Sequence, residues 1–264
     1  MPELPDVETF RRYLDATALH KKITGTSITD KRILDGVSMQ KLTRRLKGRE
    51  LEKTRRHGKY LFVKLKGNGW LVLHFGMTGE FTYYRDTAER PEHARMILHF
   101  TNGYRLAYIS QRLLGRVGLA EDLESFFGEH DLGPDALSDK VDRERFLRIL
   151  EGKRGMIKPT LMDQSMISGI GNVYSDEILF QAKIHPKTPV NKLNGEDRKE
   201  LYRTMRRVLR VASRNQADPG RFPRGYITPR RKQGDKCPAC AGEVKKITVS
   251  GRSSYYCPLC QHRE

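Results

Sequence analysis

Cysteine is absent from the first 236 residues of this 264-residue chain; all four lie between Cys237 and Cys260. A disulfide framework spreads its cysteines across a fold, so this confinement points instead to a local metal site in a reducing compartment. The compartment expected is the cytoplasm, beside the nucleoid, or a nucleus or organelle matrix. No run approaches the ~18 apolar residues of a transmembrane helix, which argues against a spanning protein. The amino terminus, Met1-Pro2-Glu3-Leu4-Pro5-Asp6, is acidic and has no apolar core, so it does not read as a secretory signal. Internal repeats and low-complexity tracts are lacking. Acids are scarce beside bases, 32 against 50, giving a formal charge of +18 and a pI near 9.9. That balance calls for a polyanionic partner, nucleic acid before an anionic membrane surface.

The charge is unevenly placed. Residues 121–142 hold eight acids against one base, Lys140, whereas residues 201–264 hold fifteen bases against four acids. The acidic stretch contains Gly128, Gly133 and Pro134, so the domain junction is expected there. A hydrophobic content of 37% suffices over this length for a core on each side. Before the junction, Val7, Phe10, Leu14 and Tyr13 form one helical stripe with Pro5 in the first turn. Tyr60–Leu65, Trp70–Phe75, Arg95–Phe100 and Tyr104–Ile109 then read as strands, and Asn102-Gly103 as a hairpin turn. A β-sandwich or flattened barrel follows. After it the period becomes helical, around Phe146–Leu150, Tyr174–Gln181 and Leu201–Ala212, the last with Asn194 and Asp197 as a capping box. Residues 215–236 are irregular and rich in proline and arginine. The fold class expected is α+β, divided as 1–130, 131–225 and a zinc-binding hairpin at 226–264.

Cys237-Pro-Ala-Cys240 and Cys257-Pro-Leu-Cys260 are two Cys-x2-Cys knuckles separated by 16 residues. A hairpin between them brings four thiolates to the corners of a tetrahedron, the geometry of structural zinc. Four sulfur ligands leave no open position, so one zinc ion builds structure here and does no chemistry. Ser168-Gly169-Ile170-Gly171-Asn172 lies between helical segments and is a turn of the sort that offers backbone N–H groups to phosphate, though such turns are more often plain connections. At the amino terminus, removal of Met1 gives Pro2 a secondary amine with a pKa of ~7.7–8.0, nucleophilic at neutral pH. Its imine with a sugar C1′ cannot shed charge by losing an N–H proton, which makes it an electron sink for β-elimination. Glu3, one residue on, is placed to protonate a ring-opening oxygen.

Met1–Glu8, Arg55–Tyr60, His74-Phe-Gly-Met77-Thr-Gly79, Ile157–Gln164, Ile167–Tyr174 and Gly251–Cys257 together resemble the formamidopyrimidine-DNA glycosylase and endonuclease VIII family of base-excision repair. The resemblance runs in order along the whole chain. It implies a bifunctional DNA glycosylase and AP lyase, monomeric, acting on duplex DNA that carries oxidised bases or abasic sites. Pro2 would be the Schiff-base nucleophile, Glu3 the proton donor, Lys59 the basic residue of β-elimination, and Arg252 the zinc-finger arginine of δ-elimination. Lys158 and Asn172 would clamp phosphate from a helix-two-turn-helix segment, with His74, His93, Arg112 and Lys153 as further DNA contacts. Met77, Arg112 and Leu114 would fill the gap left when the damaged nucleotide turns out of the stack into a basic cleft.

Three departures bear on substrate. Asp6 replaces a glutamate common in the family. Gln111-Arg112-Leu113-Leu114-Gly115 stands for a segment that often reads Arg-Arg-Phe-Gly, so the wedge is a leucine. Residues 215–236 look short beside the family's glycine-rich lesion-capping loop. Two rivals share some of these features. A non-catalytic binder of damaged DNA fits the fold but leaves Pro2, Glu3 and Lys59 without a task. A zinc-ribbon RNA-binding protein fits the charge and the cysteines but not the amino terminus.

Overall fold

A computed structural model describes residues 1–261, which divide into two compact units. The first holds Met1–Pro2 and Asp6–His130; the second holds Glu3–Pro5 and the chain from Asp131 onward.

The first unit is a sandwich of two four-stranded antiparallel sheets. Its elements are α1 (Leu4–Thr17, whose first two residues belong to the second unit), β1 (Ile23–Ile28), α2 (Met39–Leu46), β2 (Leu51–His57), β3 (Tyr60–Leu65), β4 (Trp70–His74), β5 (Gly79–Arg85), β6 (Ala94–Phe100), β7 (Tyr104–Ser110), β8 (Arg116–Ala120) and α3 (Leu123–Glu129). One sheet runs β1-β6-β7-β5 and the other β2-β3-β4-β8. Period-two alternation sends Leu61, Val63, Leu71 and Leu73 inward to meet Met96, Leu98, Leu106 and Tyr108, and Val7, Leu14, Leu42 and Leu46 close the same core. Each such side chain contributes roughly 1.5–3 kcal/mol by leaving water. The hairpin between β6 and β7 turns at Asn102-Gly103, where Gly103 takes φ +74° and the Asn102 side-chain Oδ1 accepts from Tyr104 N–H.

The strand at Tyr60–Leu65 departs from the half-buried pattern its alternation suggests. Leu61, Phe62, Val63 and Leu65 are all fully buried. Helix α3 covers the outer face, setting Phe126 and Phe127 edge-on to Phe62 at 5.3 and 5.6 Å. Four strands escape the hydrophobic pattern. β2, Leu-Glu-Lys-Thr-Arg-Arg-His, shows the reason: its exposed positions carry charge, and only Leu51 and His57 are buried.

The second unit comprises α4 (Arg143–Leu150), α5 (Ile157–Met162), α6 (Asn172–Gln181), α7 (Gly195–Arg214) and a hairpin of β9 (Lys245–Val249) and β10 (Arg252–Tyr256). Asn194 and Asp197 form the expected reciprocal capping box at the start of α7. Helix α6 is central, with every residue from Tyr174 to Phe180 buried. Residues 215–236 contain only two 3-10 turns, Pro219–Arg221 and Thr228–Arg230, yet the segment is tied down. Phe222 and Tyr226 join the helical core, while Ile227 packs with the knuckle cysteines. No described helix is long and apolar enough to cross a membrane.

Candidate active site and nucleic-acid interface

The Gly-x-Gly turn before α6 is already occupied by a carboxylate of the chain itself. Glu3 is 1% exposed and accepts from the backbone N–H groups of Gly171 (2.7 Å), Val173 (2.7 Å) and Tyr174 (3.2 Å). These are donors that a helix N-terminus leaves without intrahelical partners, and the helix dipole favours negative charge there. Leu4 N–H donates to Gly169 carbonyl at 2.9 Å, completing the dock. Both glycines are required for it. A Cβ at Gly171 would collide with the Glu3 carboxyl group, and one at Gly169, where φ is +116°, would strike Leu4. The reading of this turn as a phosphate cradle is therefore corrected: its N–H groups serve Glu3. Asn172 is half-buried at the first position of α6, and its side-chain oxygen lacks a hydrogen-bond partner.

Lys59 sits with Gly58 in the two-residue turn joining β2 to β3, where Gly58 takes φ +54°. Lys59 is 9% exposed. His74 ends β4 opposite Tyr60, and its Nδ1 accepts from Gly76 N–H at 3.3 Å. Burial, reinforced by the Lys59 and Arg116 charges, lowers the His74 pKa to about 4, so at neutral pH its other ring nitrogen is an uncharged donor.

Two loops meet beyond this strand end. Met77 (41% exposed) rides one, and Arg112 and Leu114 (42% exposed) ride the other. The loops touch backbone to backbone: Gly76, at φ +59°, leaves no room for a Cβ against the Leu114 carbonyl. Arg112 N–H donates to Thr78 Oγ1 at 3.3 Å, and Arg116 Nη1 donates to the carbonyls of Leu113 (3.1 Å) and Gly115 (3.0 Å). The Tyr108 hydroxyl holds the His74 carbonyl at 2.8 Å. Apolar tips at Met77 and Leu114 thus stand on a braced base. His93 is exposed at φ +56°, with its carbonyl accepting from Ser110 N–H.

Lys158, expected on phosphate, is placed otherwise. It is 1% exposed, and its ammonium donates to Asp176 Oδ1 at 2.6 Å and to the Ser253 carbonyl at 3.2 Å. Burial pushes the lysine below its ordinary range, and Asp176 opposes that shift. Asp176, wholly buried on α6, also accepts from Ser254 Oγ (2.7 Å), Tyr255 N–H (3.1 Å) and Arg231 Nη2 (2.8 Å). One carboxylate therefore ties α5, α6, Arg231 and strand β10 together, and Lys158 spends its charge inside that junction. Lys153 and Arg252, by contrast, are exposed. Sequence reading missed Asp176 and Arg116. The signal for the first was an acid pair, Asp176-Glu177, between the apolar residues Val173-Tyr174 and Ile178–Phe180, where burial demands partners. Arg116 carried none.

The four knuckle cysteines converge. Their sulfur atoms all lie within 4.8 Å of one another, with Cys237–Cys260, Cys240–Cys257 and Cys240–Cys260 at 3.8, 3.6 and 3.4 Å. A tetrahedron with Zn–S bonds of ~2.3 Å requires S···S separations of about 3.8 Å, so the site fits structural zinc. Ala239 and Gly242 N–H groups donate to the Cys237 and Cys240 sulfurs.

The candidate residues thus fall into two sets. Pro2, Lys59, His74, Met77, His93, Arg112 and Leu114 belong to the first unit, and Glu3, Lys153, Lys158, Asn172, Arg252 and the cysteines to the second. A glutamate side chain docked at a helix head beside the amino-terminal proline, in a chain this basic, marks a glycosylase that works on DNA. Family models agree along the chain: the formamidopyrimidine-DNA glycosylase N-terminal domain matches residues 1–117, its H2TH domain matches 132–221, and the zinc finger found in FPG and IleRS matches 234–263. The chain is 33% identical to the formamidopyrimidine-DNA glycosylase of Pelotomaculum thermopropionicum, covering 99% of each. It is 34% identical to that of Chloroflexus aurantiacus, covering 99% of this chain and 98% of the other. Among solved structures, Lactococcus lactis Fpg bound to DNA with an abasic site matches at TM-score 0.90 and 28% identity, covering 99% of this chain and all of that one. The same enzyme with N7-benzyl-Fapy-dG DNA matches at 0.91 and 30%. The chain belongs to the formamidopyrimidine-DNA glycosylase family.

Proposed function

We propose that this protein excises oxidised bases from duplex DNA and then cleaves the abasic strand through an imine on Pro2. The observation that carries the reading is the seating of Glu3. Its carboxylate is fixed by three N–H groups at the head of α6, one residue from the nucleophile. Those donors favour the carboxylate, so Glu3 starts as a base. The amine of Pro2 attacks C1′ with departure of the damaged base, and Glu3 takes the ammonium proton. It then returns that proton to O4′ as the sugar ring opens and the iminium forms. Lys59 assists loss of the 2′ proton and the 3′ phosphate. Exposed Lys153 and Arg252, half-buried Asn172, and His93 with neutral His74 hold the backbone. Met77, Arg112 and Leu114 enter the vacated stack. Lys158 positions the zinc hairpin from within. The enzyme works as a monomer in a reducing, DNA-containing compartment.

The substrate range follows from two features. Residues 215–236 anchor Phe222, Tyr226 and Ile227 in cores, which leaves little free chain to close over a base. Leu114 offers no aromatic face, and stacking on one is worth ~1–3 kcal/mol. Lesions that are already poorly stacked need neither. Ring-opened formamidopyrimidines, hydantoins and oxidised pyrimidines are the preferred substrates, ahead of 8-oxoguanine opposite cytosine. The test is single-turnover excision on duplexes that differ only in the lesion, with Glu3→Gln alongside. Equal or faster removal of 8-oxoguanine would overturn the range, and an active Glu3→Gln would overturn the mechanism.

A further inference from the structure

Helix α7 buries Leu201, Met205, Val208, Leu209 and Ala212 in the core it shares with α6 and α4. On the opposite side Arg203, Arg207, Arg210 and Arg214 recur at spacings of 4, 3 and 4, and all four are exposed. At 100° per residue they fall within about 60° of arc. The face changes character along its length. Its first turns mix signs, with Lys199 on Glu196 at 2.7 Å and Arg203 on Glu200 at 3.1 Å. Beyond Glu200 the sequence has no acid until Asp218, and Arg207, Arg210 and Arg214 form no ion pair among the described residues. Like charges three and four apart destabilise a helix by ~0.2–0.5 kcal/mol per pair. The first turns avoid that cost and the last three accept it.

We propose that this arginine stripe is a second contact surface for the phosphodiester backbone of duplex DNA, separate from the lesion site. The four guanidinium groups span about 16 Å of rigid helix, and duplex phosphates recur every ~3.4 Å of axis along each strand. Guanidinium forks suit phosphate oxygens. A straight, regular row whose last three members carry no ion pair matches a stiff polyanion of regular charge better than an acidic polypeptide chain, whose carboxylates are irregular and mobile. With lesion DNA in the active site and a second duplex on the stripe, the protein holds two DNA segments at once and passes between them.

The test uses the zinc-loaded full chain and its Arg207→Gln/Arg210→Gln/Arg214→Gln variant, with a labelled abasic duplex and a second, differently labelled undamaged duplex. Glutamine keeps helix propensity, and circular dichroism checks the fold. Wild type should bind both duplexes at once. For three phosphate contacts, affinity for the second should fall roughly 40-fold from 50 to 200 mM salt. The variant should bind and cleave the abasic duplex as wild type does and hold the second at least tenfold more weakly. Wild type that never takes a second duplex, or a variant that keeps it within twofold, would overturn the proposal. So would displacement of the second duplex by polyglutamate at equal charge, which would assign the stripe to an acidic protein. Failure of both proteins to cleave the abasic duplex would count against the base-excision reading, while the second-duplex titration still decides the stripe.

Discussion

Replacing Asp176 by Asn should uncouple the zinc hairpin from the helices beneath it. The carboxylate is wholly buried and receives Lys158, Ser254, Tyr255 and Arg231 at 2.6, 2.7, 3.1 and 2.8 Å. An amide of the same shape offers one acceptor oxygen and turns its NH2 toward two of those donors. It also leaves the Lys158 ammonium, 1% exposed, without a counter-charge, while Arg231 at 16% regains part of its hydration. Removing one partner of such a pair costs ~3–5 kcal/mol. The assay is denaturant unfolding of the second unit's signal, with the rate of zinc loss to a chelator as the local readout. Asp176→Asn should lose ~3–5 kcal/mol and release zinc faster, and Lys158→Met added to it should recover at least ~1 kcal/mol, because the stranded charge is gone. DNA affinity should fall with it, since Arg252 begins the strand that Ser254 and Tyr255 anchor. A single variant within 1 kcal/mol of wild type, or a double variant no better than the single, would refute the junction.

Gly171→Ala should cut base excision and abasic-site cleavage by over a hundredfold while the zinc site stays intact, because its Cβ would displace the Glu3 carboxylate; activity within threefold of wild type would contradict this. His74 carries a pH signature. Its folded pKa near 4 lies below the ordinary 6.5, so the unfolded chain binds the proton first. Stability should be full above pH 6.5 and decline by up to about 3 kcal/mol as pH falls toward 4. His74→Asn should flatten that slope in an unfolding series. Chelating zinc, or Cys257→Ser, should unravel the 237–260 hairpin and weaken DNA binding without melting the first unit, as followed by heteronuclear spectra.

Much of the fold was legible because its signals are local. Asn102-Gly103, the Asn194–Asp197 box and the two cysteine knuckles each settle a structure within a few residues. What escaped depends on contacts distant in sequence. Nothing near Tyr60–Leu65 announces that Phe126 and Phe127 cover its second face. Nothing around Gly171 announces that residue 3 fills it. Family resemblance set Lys158 on phosphate, and a lysine is usually solvated, so nothing local argued for burial. Its burial is visible only once Asp176 and the Ser253 carbonyl stand around it.

The central claim is that Pro2, freed of Met1, is the nucleophile, and borohydride trapping tests it most directly. Processed protein incubated with abasic duplex and borohydride should yield a covalent adduct, and peptide mass should place the DNA on Pro2. Protein that retains Met1 should give none. An adduct formed in equal yield with Met1 in place, or located on Lys59, would contradict the account.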